Sequence, residues 1–212
     1  MSAVNADHQR PIGRRGEVTR QKFLDAVDAL LEEGTYRELT VADIARRAGT
    51  SPATFYQYFS AAEDAVLAVA TAMVEVAGPQ LARSITGRDW SAANSSEASL
   101  GVADAFIALW EQHRAVLRVI DLATDEGDQR FRDVRTTLLG APANAFVEVL
   151  RSDSDRTVVD PLAEAGVLVS MLAHVSAHLD GLQSWGANRG ELRRSMARVV
   201  SLTLTGQSSL GE

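Results

Sequence analysis

The chain has 212 residues, enough for one large domain or two small ones, and 46% of them are hydrophobic, which suffices to fill a sizeable core. The absence of cysteine excludes disulfides, thiolate zinc sites and a cysteine nucleophile, and with no apolar leader in MSAVNADHQRPIGRRG the expected compartment is the cytoplasm. The net charge of −7 argues against a nucleic-acid partner only until its distribution is read: residues 1–60 carry eight basic and eight acidic groups, residues 61–212 carry 13 and 20. No stretch is expected to reach the roughly 18 apolar residues that span a membrane, so no membrane partner is expected.

Residues 1–17 read as a flexible basic arm. Arg10, Arg14 and Arg15 either track a nucleic-acid backbone or minor groove or solubilise a tail. From 18 to 33, Phe23, Leu24, Val27, Leu30 and Leu31 fall on one helical face, and Gly34 ends the helix. A second helix over 41–48 places Val41, Ile44, Ala45 and Ala48 at i, i+3, i+4 and i+7, with Thr40 as its N-cap. Gly49 then supplies the left-handed residue that a sharp helix C-terminus needs. Ser51 as N-cap and Pro52 at the first helical position start a third helix, to about 58. Phe55 and Phe59 turn inward, so the remaining residues of this segment face out. Small residues allow a close backbone approach, and Thr, Gln and Tyr offer hydrogen bonds to phosphates and base edges. The expected DNA contacts are therefore Thr50, Ser51, Pro52, Ala53, Thr54, Gln57 and Tyr58, with Thr40 and Tyr56 on phosphates and Arg14 and Arg15 from the arm. Gln57 is the expected base reader, because its amide can pair bidentately with adenine. Tyr58 also fits a core ring with an exposed hydroxyl.

The pattern Thr19-Arg20, Phe23-Leu24, Ala26, Gly34, Tyr36, Thr40-Val41, Ile44-Ala45, Ala48-Gly49-Thr50-Ser51, Thr54-Phe55-Tyr56 and Tyr58-Phe59 resembles the tetracycline-repressor (TetR) family of transcriptional regulators. The resemblance implies an all-α fold of about nine helices: an N-terminal three-helix helix-turn-helix DNA-binding domain (18–60) and a larger C-terminal helical ligand-binding and dimerisation domain (61–206), with a tail at 207–212. One position departs from the family. Where its members carry Ser-Lys-Glu, with the Lys on a DNA phosphate, this chain has Ala61-Ala62-Glu63, and that phosphate contact is lost at Ala62.

In the second part, a helix from 61 is expected to pause at Gly78-Pro79 and resume to Ile85, and the polar stretch 86–99 reads as a loop. Helices are expected over 100–119, after an acidic connection at 121–128 over 129–150 with an interruption at Gly140-Ala141-Pro142, and, beyond a charged turn at 151–155, over 160–184. The helix that opens at Asp160-Pro161 has two apolar stripes, so it is buried on both. Leu162, Ala165, Val169, Leu172 and Ala173 form one stripe; Leu168, Met171, Val175, Leu179 and Leu182 form the other. Asn188 and Glu191 cap the last helix, to about 205. The resemblance implies a four-helix bundle between two copies made by these last two helices, and the first stripe with Met196 and Val200 is the expected interface. A two-fold pair of recognition helices also suits the reading of two half-sites.

Phe106, Trp110, His113 and Leu117 on one helix, with Phe146, Met171, His174, His178 and Trp185 on others, form either a cavity for a small, mostly hydrophobic effector or simply core. His174 and His178, spaced i, i+4, also match two metal ligands, but no Glu follows His174 and no H-E-x-x-H motif exists, so no resident metal or cofactor is expected. The chain has no P-loop, no G-x-G-x-x-G and no G-x-S-x-G, and no enzyme is expected. The reading is a homodimeric regulator, in the repressor sense, on a near-palindromic double-stranded operator. The alternatives are a helical protein-interaction module and a metal-responsive regulator using His174 and His178.

Overall fold

The computed structural model describes residues 13–91, 93–152 and 160–206. Arg10, the tail and most of the charged turn lie outside the described residues. Among those described there are ten α-helices, one 3-10 turn and no strand: α1 Arg14–Glu33, α2 Val41–Arg47, α3 Pro52–Phe55, α4 Ala62–Ile85, α5 Ser95–Gln112, α6 Arg114–Asp125, α7 Gln129–Ser152, α8 Pro161–Ala177, α9 Leu179–Gln183 and α10 Arg189–Thr205, with the 3-10 turn at Tyr36–Glu38. They form two compact units, Met1–Val69 and Ala70–Glu212.

In the first unit α1 begins at Arg14, four residues before its expected start at 18, so Arg14 and Arg15 occupy its first helical turn and not a flexible arm. Gly13 stands at the N-cap, its carbonyl accepts from the N–H groups of Gly16 (2.7 Å) and Glu17 (3.1 Å), and the Glu17 carboxylate favours that helix end. Phe23, Leu24, Ala26, Val27 and Leu31 of α1 are buried against Ile44 and Ala45 of α2 and Phe55 and Phe59 beyond it.

Three local expectations in the second unit give way to packing. Gly78-Pro79 and Gly140-Ala141-Pro142 do not interrupt their helices; α4 runs through Pro79 and α7 through Pro142. The helices cross there, with space for a Cβ on Gly78 at 3.6 Å from Ala141 Cβ and from the Leu138 carbonyl, and tertiary contact outweighs the local breaker. α5 starts at Ser95, inside the stretch read as a loop. Conversely, the helix expected to run unbroken over 100–119 breaks at His113 (φ −121°, ψ 28°), and the one expected over 160–184 breaks at His178 (φ −119°, ψ 23°). α4 also corrects the membrane expectation: with a mean hydropathy of 1.5 it is long and apolar enough to cross a bilayer. Its buried residues Val66, Ala70, Val74, Ala77, Leu81 and Ile85 recur three and four apart, which is the spacing of a helix that buries one face in protein.

The expected dimer stripe is corrected as well. Ala165, Val169, Leu172 and Ala173 of α8 and Met196 and Val200 of α10 are buried within the single chain, because α8 and α10 turn these residues onto α5 and α7. Of that set only Leu162 is exposed, at 62%. The outward face of α8 carries Leu162 and Val167, and that of α10 carries Val199 and Leu202. α10 opens with the expected capping box, Asn188 accepting from the Glu191 N–H and Glu191 from the Asn188 N–H, and closes on Gly206 at φ 66°. Two Arg–carboxylate forks hold it to α5: Arg193 to Asp104 (2.5 and 2.6 Å) and Arg189 to Glu111.

Candidate functional site

The first site is the turn between α2 and α3. The Asp43 N–H donates to Thr40 Oγ1 at 3.2 Å, and the C-terminus of α2 closes in a Schellman turn: the Thr50 N–H reaches the Ala45 carbonyl (2.9 Å) and the Gly49 N–H reaches that of Arg46 (3.2 Å). Gly49 takes φ 68°, a conformation that costs any residue with a Cβ. The Thr54 N–H donates to Ser51 Oγ at 3.2 Å, with Pro52 at the first helical position. α3 is a single turn and shorter than expected. Past Phe55 the backbone tightens into three-residue bonds, Gln57 N–H to the Thr54 carbonyl (3.1 Å) and Tyr58 N–H to that of Phe55 (2.9 Å).

Aromatic rings fix this segment from below. Phe55 stands edge-on to Phe23 at 5.2 Å, Phe59 edge-on to Phe23 at 6.3 Å, and Phe55 lies 5.4 Å from Phe59. Tyr58 leans on Phe23 at 5.7 Å and is half-buried, so its ring belongs to the core whatever its hydroxyl does. Ser51, Pro52, Ala53, Tyr56 and Gln57 are exposed, and Thr50 and Thr54 are half-buried. Thr40 is exposed but its hydroxyl already donates to Asp43 Oδ2 at 2.5 Å. Arg46 donates to the same carboxylate at 2.6 Å. Arg47 forks onto Glu33 (2.8 and 2.5 Å), and the hydrogen bonds to that guanidinium hold the Glu33 carboxyl below its usual range. Ala62, at the position of the family's Lys, is buried.

The second site is a cavity of about 50 Å³ in the second unit, beside the two helix breaks. Trp110 and Leu117 flank the break at His113; His174 and His178 come from the other. Arg114 and Asp180, just beyond each break, are paired at 2.9 Å. The imidazoles of His174 and His178 are exposed and stack at 4.2 Å, and His178 Nδ1 donates to the His174 carbonyl at 2.9 Å. Ile120 and Leu138 extend the apolar wall, and Asp121 and Arg135 add an ion pair at 3.0 Å. The Trp110 side chain is stacked on Phe106 at 6.2 Å, and its Nε1–H is sealed from water without an acceptor. An unmet buried donor costs about 1–3 kcal/mol, so such a group calls for an explanation.

Of the nine residues expected around an effector, the cavity brings together Trp110, Leu117, His174 and His178. Phe106 and Phe146 are packed in the core, Met171 and His113 are half-buried outside the cavity wall, and Trp185 is 84% exposed. Sequence reasoning missed Asp121 and Arg135. Asp121 falls in a stretch whose acidity reads as a linker, yet it lies on α6, whose apolar residues Val116, Leu117, Val119, Ile120 and Ala123 are one buried face, and that periodicity was the available signal. Among the described residues no group of three His, Asp or Glu could hold a metal ion, which leaves the metal-responsive alternative with two ligands.

Comparison with known proteins agrees with this architecture. Residues 23–69 match the family described as bacterial regulatory proteins, tetR family, and residues 81–210 match the tetracyclin repressor-like C-terminal domain. No curated protein sequence matches the chain. Among solved structures it is similar to the fatty acid degradation regulator FadR from Bacillus halodurans (16% identity, 93% of this chain and 98% of that one, TM-score 0.67). It is also similar to FadR from Bacillus subtilis in complex with stearoyl-CoA (16%, 88% and 98%, 0.66) and to a transcriptional regulator from Rhodococcus sp. Rha1 (15%, 88% and 96%, 0.69). At these identities the structures speak for the fold, while the two family matches together take in the turn that carries the exposed polar segment and most of the helices behind the cavity. The chain therefore belongs to the tetracycline-repressor family of bacterial regulatory proteins, DNA-binding transcription regulators and not enzymes.

Proposed function

We propose that this regulator is a homodimeric repressor that leaves a near-palindromic operator when a small effector enters the body cavity. The observation that carries the reading is the exposed row Ser51, Pro52, Ala53, Tyr56 and Gln57 held on a rigid aromatic base. Small side chains at the front of α3 admit a close approach to the major groove, Ser51 and Tyr56 supply phosphate donors, and Gln57 reads a base, while the Thr50 hydroxyl is turned to the Ala45 carbonyl. Arg14 and Arg15, exposed in the first turn of α1, add positive charge where Ala62 does not.

The dimer uses the outward faces of α8 and α10. Leu162 and Val167 (68% exposed) with Val199 and Leu202 form an apolar surface that a second copy covers, with the small residues Ala163, Gly166 and Ser170 between them on α8 allowing close helix contact. A symmetric pair spaces two heads for half-sites about 34–36 Å apart or a multiple. Effector binding releases DNA by favouring the conformer whose heads miss that spacing; turning a 99:1 population over takes about 5.5 kcal/mol of differential affinity. The relative from Bacillus subtilis is described in complex with stearoyl-CoA, which supports an effector for the shared fold.

Selection of binding sites from random duplexes tests the reading. The expected product is an inverted repeat, and Gln57→Ala relaxes one base pair in each half by about 1–3 kcal/mol of discrimination while non-specific affinity holds. Equal loss on every sequence would remove Gln57 as the reader, and selection of no sequence would remove the operator.

A further inference from the structure

We propose that Arg20 of α1 is a phosphate anchor of the DNA-binding head, its guanidinium braced on the Phe59 ring and gripping the operator backbone at the C-terminal end of the segment from Thr50 to Tyr58. The inference rests on the DNA-facing reading of that segment above. Arg20 stands three residues before Phe23 on the same face of α1 and is half-buried, with its guanidinium carbon 5.5 Å from the centre of the Phe59 ring. Phe59 is itself buried, edge-on to Phe23 and 5.4 Å from Phe55. The ring beneath the charge therefore belongs to the cluster that fixes the recognition turn from below, and the cation keeps a set place beside that turn. An aromatic face attracts a guanidinium without offering it an oxygen acceptor.

The charge is uncommitted. Among the described residues no hydrogen bond or ion pair holds Arg20, whereas Arg46 is engaged by Asp43 at 2.6 Å and Arg47 by Glu33 at 2.8 and 2.5 Å. A guanidinium carries its N–H donors in a planar fork and accepts nothing, and the oxygens of a phosphate match that fork. Arg14 and Arg15 are exposed in the first turn of α1, where ordering a long side chain on DNA costs rotamer entropy; Arg20 is ordered on its ring before DNA arrives. The first turn of α4, which opens three residues after Phe59, holds Glu63 and Asp64 and no basic residue. A phosphate at that end of the segment meets carboxylates from α4, and the positive charge that offsets them comes from α1.

Titration of the protein onto the selected duplex, followed by fluorescence anisotropy between about 50 and 200 mM salt, tests this, because each neutralised phosphate adds about 0.9 to the slope of log affinity against log salt. Arg20→Gln is expected to lower that slope by about 1.8 for a pair of heads, and to weaken selected and unrelated duplexes alike by roughly tenfold or more. Arg20→Lys, which keeps the charge without the fork, should restore the slope and most of the affinity. Arg20→Met keeps an apolar stem on Phe59 and is expected to match Arg20→Gln; it takes its place if the melting of the head shows that the Gln variant does not fold. An unchanged slope in the folded neutral variant overturns the anchor. So does a loss in Arg20→Lys as large as in Arg20→Gln, which marks a brace for Phe59 and not a contact to DNA. In either case sequence-selective binding by the wild-type protein leaves the reading of the segment standing, whereas its absence at every salt concentration overturns that reading and Arg20 with it.

Discussion

The two units of the chain are finished to different degrees. In the head Phe23 and Phe55 are fully buried against other rings, and the outward row Ser51, Pro52, Ala53 and Gln57 is polar or small, with Tyr56 and Val18 also exposed. In the body, Leu162, Val167, Trp185, Val199 and Leu202 are left in solvent, the indole of Trp110 is sealed without a partner, and two helices break beside a small cavity. A packed unit with a polar outer row is ready to dock as a rigid body. The uncovered apolar faces and the unmet donor are what the proposed second copy and effector would cover. On the proposed reading, rigidity lies at the DNA-facing row and the uncovered groups lie in the body.

The comparison breaks first at its largest energies. Phe55→Ala, which empties the centre of the head's ring cluster, should destabilise that unit by about 3–5 kcal/mol and abolish DNA binding, while the melting of the body stays in place; calorimetry separates the two. In the body, Leu172→Ala should cost about 2–5 kcal/mol of folding stability. Val167→Arg should leave folding within about 0.5 kcal/mol and convert dimer to monomer in sedimentation velocity. Were the two substitutions to act the other way round, the buried stripe would be the interface after all.

Acid gives a smaller effect, at the ion pairs that join α5 to α10. The hydrogen bonds from Arg193 hold the Asp104 carboxyl below its ordinary value, and those from Arg189 do the same for Glu111. A carboxyl whose pKa is lower folded than unfolded stabilises above its unfolded value, and that contribution is lost as pH falls through the folded one. Both pairs are substantially exposed, so each is worth no more than about 0.2–1 kcal/mol. The α5–α10 contact should weaken only below the usual carboxylate range, and Asp104→Asn with Glu111→Gln should flatten the acid limb of a pH–stability profile. An effect of similar size and opposite sign is expected of Gly140→Ala, which lies in a helix interior where a Cβ meets nothing within 4 Å and should add about 0.5–1 kcal/mol in a denaturant titration.

The same contrast governs what could be read from the residues alone. Gly49, Ser51 and Pro52 announce a Schellman turn and a new helix because the physics of a cap lies within a few neighbours, and Asn188 with Glu191 works the same way. The faces of α8 were harder. Both of its stripes are apolar and the 3.6-residue period identifies them as faces, but nothing local says that the single chain covers both, so Leu172 and Val169, expected at a subunit interface, are core. Gly78-Pro79 and Pro142 show the converse error, a local signal overruled by a helix crossing. The breaks at His113 and His178 carry no Gly or Pro to announce them, and the cavity beside them stayed hidden for that reason.

The central claim is that two copies of the segment from Thr50 to Tyr58 read one operator together. Hydroxyl-radical footprinting on a selected duplex tests it most directly. The account predicts two protected patches related by two-fold symmetry and centred about 34–36 Å apart or a multiple, both lost when Val167→Arg separates the subunits. A single patch, or protection that survives in the monomer unchanged, would contradict it.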